Sequence, residues 1–88
     1  MRERFEEIRA EIVQNDQAIV AAVNRRLDLV TELWELKARL GLETVDPDRE
    51  RRLRNDLAEA NAGRLSGAGL ERLITDLLDL TKRELGAG

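Results

Sequence analysis

Between residue 3 and Leu40 the chain contains neither glycine nor proline. Within that stretch Phe5, Ile8, Ile12, Ile19, Val23, Leu27, Val30, Trp34 and Leu40 recur at helical spacing, with one gap at Asn15 and Asp16. Apolar residues three and four apart line one face of an α-helix, and Gly41 supplies a C-terminal stop. The pattern predicts one helix of about 36 residues, on the order of 54 Å long at a rise of about 1.5 Å per residue. A compact domain of this size has a radius of gyration near ~13 Å. Such a helix overshoots a fold of its own, so its apolar stripe requires a second chain. An intertwined homodimer is the expected assembly.

The remaining 48 residues hold two shorter helices. Asp46 caps a helix opening at Pro47, where the missing amide proton costs nothing. That helix is expected to run to Ala62 and stop at Gly63, with Leu53 and Leu57 inward. Ser66 caps the third, whose first turn is weakened by Gly67 and Gly69. Its buried stripe is expected to be Leu70, Leu73, Ile74, Leu77, Thr81 and Leu85, followed by a frayed Gly86-Ala87-Gly88 tail. The fold class is all-α, three helices per chain, with residues 1–88 as one domain.

Composition narrows the chemistry. With no cysteine and no histidine, disulfides, thiolate nucleophiles, imidazole bases and the usual zinc sites are excluded. A net charge of -3 exerts no pull toward nucleic acid or anionic membrane. No apolar run is long enough to span a bilayer, and MRERFEEIRAE lacks the apolar segment of a signal peptide. A cytoplasmic location, with no metal and no cofactor, is expected.

Several charges stand out as a set. Arg26 and Lys37 are 11 residues apart, about three turns, and project from one side of the first helix. Arg9 points roughly 100° away from Arg26; if Arg26 and Lys37 line a pocket in their own protomer, Arg9 is expected to reach the pocket of a partner packed alongside instead. Lys37, between Trp34, Leu36 and Leu40, is expected to be partly desolvated. Asp46, Arg49 and Glu50 share a face at the N-terminus of the second helix. Taken singly, each has a plainer reading: a solvated face for the cations, capping and a local ion pair for the acids. For Thr81 it is a hydroxyl bonded back to the preceding turn. Arg25, Arg39, Arg51, Arg52 and Arg54 belong to solvated faces.

In order, Arg9, NRR at 24–26, Lys37 and VDPDRE at 45–50 resemble the all-helical chorismate mutases over essentially the whole chain. The resemblance implies conversion of chorismate to prephenate in aromatic amino-acid biosynthesis. It also implies that Arg26, with Arg9 of the partner and Arg49 nearby, holds the substrate carboxylates. Lys37 would hydrogen-bond the ether oxygen of the breaking bond, Asp46 and Glu50 the ring hydroxyl, and Thr81 would lie near a carboxylate. The catalytic set so implied is Lys37, Arg26 and Glu50. The reaction is an intramolecular pericyclic rearrangement that needs no nucleophile, proton relay or cofactor. Holding the reactive conformer and placing positive charge on the ether oxygen suffice.

Two positions depart from the resemblance. Leu85 stands where relatives often carry Gln or Glu as a second donor to the ether oxygen, and losing such a donor costs about 3–4 kcal/mol. Trp34 stands where a small residue is common; it either fills a dimer seam or reshapes the pocket above Lys37. The Leu-Gly ending is shared with a small mutase subclass activated by the first enzyme of the shikimate pathway, so an activating partner is a further expectation. Alternative readings are a lyase or mutase on isochorismate or amino-deoxychorismate, or a weakly active or regulatory helical dimer. The intact Asp46, Arg49 and Glu50 favour the mutase, since those lyases tend to lose that pattern.

Overall fold

The computed structural model describes residues 1–86. Three helices follow in order, α1 (Arg2–Leu40), α2 (Pro47–Ala60) and α3 (Gly67–Leu85), with no strand among the described residues. The protein is therefore all-α. It divides into two compact units, Met1–Leu33 and the segment from Trp34 onward.

The first unit is the bulk of α1. At 39 residues α1 is slightly longer than its periodicity suggests. None of its residues is buried, and Phe5, Ile8, Ile12 and Ile19 are all exposed. Toward its C-terminal half Val23, Arg26, Leu27 and Val30 become half-buried.

In the second unit, α1 ends as its glycine requires. Gly41 has φ 69, and the amides of Gly41 and Leu42 bond back to the carbonyls of Ala38 (3.3 Å) and Lys37 (2.8 Å). This paired return satisfies carbonyls that the helix leaves open, and only glycine adopts that backbone without strain. Asp46 then caps α2, with Pro47 at its first position. The helix ends at Ala60, two residues earlier than the sequence suggests. Asn61 leaves the helical conformation, and its side-chain amide donates to the carbonyl of Leu65 at 2.8 Å, closing the connection to α3.

α3 packs on α2. Ser66 Oγ accepts the Gly69 amide at 3.0 Å as the N-cap. Leu70 and Ile74 are buried, and Leu77 and Leu78 half-buried. Burying a side chain such as Ile74 contributes about 1.5–3 kcal/mol. Leu73, expected in this stripe, is instead 48% exposed, because the buried line follows 70, 74, 77/78 and 81 while Leu73 falls to one side. Gly86, expected to fray, is the left-handed C-cap of α3 at φ 68. The other two residues of the expected tail, Ala87 and Gly88, lie outside the described residues.

Candidate active site

Lys37 sits in the last turn of α1 and is half-buried. Its Nζ donates to the main-chain carbonyl of Thr44 at 3.3 Å. The ammonium is thereby held over the connection leading into α2. The Thr44 carbonyl is a partner of Lys37 that sequence reasoning missed, because a backbone acceptor leaves no trace in side-chain patterns.

Asp46 adopts an extended conformation (φ -138, ψ 97). One carboxylate oxygen, Oδ1, accepts the amides of Asp48 (3.2 Å) and Arg49 (3.3 Å). The cap therefore fixes the backbone that presents Arg49 and Glu50. Arg49 is exposed and Glu50 half-buried. Glu50 pairs with Arg54 one turn on, Oε1 to Nη2 at 4.0 Å.

Arg54 departs from the solvated face expected of it. It is half-buried, its Nη1 meets Glu71 Oε2 on α3 at 2.6 Å, and its Nη2 donates to Thr75 Oγ1 at 3.4 Å. The signal was present in the spacing: position 54 shares a stripe with Glu50, Leu57 and Asn61. Thr81 on α3 is 5% exposed. Its hydroxyl donates to the carbonyl of Leu77 at 2.7 Å, the return bond that buried helical threonines commonly make. Leu85, one turn further, is half-buried and offers no polar atom.

Lys37, Asp46, Arg49, Glu50 and Thr81 thus fall in the second unit. The other two candidates belong to the first. There Arg9 lies over the ring of Phe5, 5.5 Å from its centroid, a cation–π contact that restrains an otherwise exposed guanidinium. Arg26 is half-buried.

Among the described residues no group of three or more carboxylates is gathered as a metal site. No helix there is long and apolar enough to cross a membrane.

The family model for chorismate mutase type II matches residues 8–84. The chain belongs to that family. No curated protein matched, and no solved structure matched either. Membership establishes the activity as that of an isomerase, a chorismate mutase. The matched span contains every candidate residue of this chorismate mutase, from Arg9 to Thr81, and its family position agrees with the resemblance carried by NRR, Lys37 and VDPDRE.

Proposed function

We propose that residues 1–88 act as one chorismate mutase domain in an intertwined homodimer, with each pocket shared between two chains. The observation that carries this reading is the placement of Lys37. The residue is half-buried, and its ammonium, held by the Thr44 carbonyl, stands at the connection into the helix that presents Arg49 and Glu50. The uncovered apolar residues of α1 supply the surface against which a second chain would pack, since a chain this short gains stability by association.

In the rearrangement the enolpyruvyl C–O bond breaks while a C–C bond forms across the ring, and no atom enters or leaves. Arg26, Arg49 and Arg9 of the partner hold the two carboxylates through their planar forks of donors. This selects the folded, chair-like conformer and removes the entropy of reaching it. Lys37 donates to the ether oxygen as negative charge grows there, an interaction stronger in the transition state than in the ground state. Asp46 and Glu50 accept from the ring hydroxyl. Thr81 donates to a carboxylate only by releasing its bond to Leu77.

Because Leu85 donates nothing to the ether oxygen, the isolated dimer is weakly active, and a partner enzyme of the shikimate pathway raises its rate. The setting is cytoplasmic aromatic amino-acid biosynthesis.

Incubating the purified protein with chorismate and, separately, with isochorismate tests the reading. Prephenate forms from chorismate, no pyruvate is released from isochorismate, and the Lys37→Ala variant loses prephenate formation. Absence of chorismate turnover, alone or with cell extract supplying a partner, would sink it.

A further inference from the structure

Arg54 differs from its neighbours on α2. Its side chain is 28% exposed, against 71% for Arg51. Two of its contacts reach α3, Nη1 to Glu71 Oε2 at 2.6 Å and Nη2 to Thr75 Oγ1 at 3.4 Å. Glu71 and Thr75 are one turn apart, so α3 grips the guanidinium at both terminal nitrogens. A planar fork held at two points loses its freedom to rotate, which a lysine ammonium in the same place would keep.

The third contact is Glu50, whose Oε1 lies 4.0 Å from Nη2. That is a charge contact rather than a hydrogen bond, in the order acid-before-base that a helix favours at four residues' spacing. Of the three contacts, only those to Glu71 and Thr75 join α2 to α3. The same guanidinium nevertheless faces the Glu50 carboxylate, on a side chain that is 43% exposed and that the resemblance places against substrate.

We infer that Arg54 is a positioning residue for the reaction: clamped by α3 through Glu71 and Thr75, it sets the direction of the Glu50 carboxylate. The inference rests on the reading of Glu50 given under Proposed function. Arg54 touches no substrate. It couples the register of α3 to the aim of an acceptor on α2, and removing it leaves Glu50 free to rotate toward solvent.

A double-mutant cycle on the full chain tests this, with chorismate as substrate and kcat, KM and melting temperature read for each variant. Glu50→Gln lowers kcat/KM. Arg54→Gln lowers kcat/KM roughly tenfold in the Glu50 background and within about twofold in the Glu50→Gln background, the non-additivity expected of residues acting as one unit. A merely structural clip gives a different result: Arg54→Gln then lowers kcat/KM equally in both backgrounds, or lowers the melting temperature with kcat/KM unchanged. Either outcome overturns the inference. If Glu50→Gln leaves kcat/KM intact, the Glu50 reading fails and the Arg54 role with it; an effect of Glu50→Gln with additive behaviour of Arg54→Gln overturns the Arg54 role alone. Arg54→Lys retains the charge should Arg54→Gln fail to fold, and the same cycle applies to it. There the expected result is a fold-stable variant that still shows the loss only when Glu50 is present.

Discussion

The ammonium of Lys37 donates to the main-chain carbonyl of Thr44 across 3.3 Å. Lys37 belongs to the last turn of α1, and Thr44 to the connection that ends at the cap of α2. One side chain therefore ties the end of the long helix to the segment that delivers Asp46, Arg49 and Glu50.

Removing that side chain separates chemistry from folding. Lys37→Ala is expected to lower kcat by about 10²–10³, the effect of deleting one donor to a developing negative charge. Stability should fall by only about 1 kcal/mol, the net worth of a typical hydrogen bond. Steady-state kinetics beside a urea titration reads both. A loss of stability that accounts for the lost activity would contradict the assignment.

Asp46 is the observed cap of α2 and the proposed partner of the ring hydroxyl, and one substitution divides the two. Asn caps a helix about as well as Asp, whereas Ala costs about 1 kcal/mol. Asp46→Asn should therefore keep the stability of the parent, and Asp46→Ala should lose it. If the carboxylate also meets the ring hydroxyl, Asp46→Asn raises KM or lowers kcat despite an intact fold. Unchanged kinetics in Asp46→Asn would reduce Asp46 to a cap.

Leu85 is half-buried near the C-terminal end of α3. Leu85→Gln places a donor where relatives of the family often have one, and should raise kcat by about tenfold or more. Activity equal to the parent would remove the missing donor as the reason for a weak enzyme.

Much of the fold is legible in the sequence. The length of α1 follows from its freedom from Gly and Pro, its end from Gly41, and the start of α2 from Asp46-Pro47. These are local rules, and local rules survive into the structure. The end of α2 falls short of the expected Ala62 because Asn61 leaves the helix and bonds through its side chain to Leu65, and such a bond depends on how the connection folds. Leu73 is exposed against expectation, because helical spacing alone does not say which edge of a wide leucine face α2 covers. Charge alone suggests a solvated Arg54, yet its partners Glu71 and Thr75 lie on another helix. Of the candidate site, the sequence supplies the identities and order of the charged residues, and their roles stay with the proposal above. The Thr44 carbonyl and the bond from Thr81 to Leu77 were contributions of the backbone, which sequence patterns do not mark.

The sharing of each pocket between two chains is tested by mixing two inactive variants, Arg9→Ala and Lys37→Ala, by co-expression. In a mixed dimer the Lys37-bearing pocket of one chain receives Arg9 from the other, so one pocket is intact and the second lacks both groups. Prephenate formation should then recover well above either variant alone, to roughly half the parent rate per mixed dimer. Activity that stays at the level of the separate variants would contradict the shared pocket, because an Arg9 serving its own chain leaves neither pocket complete.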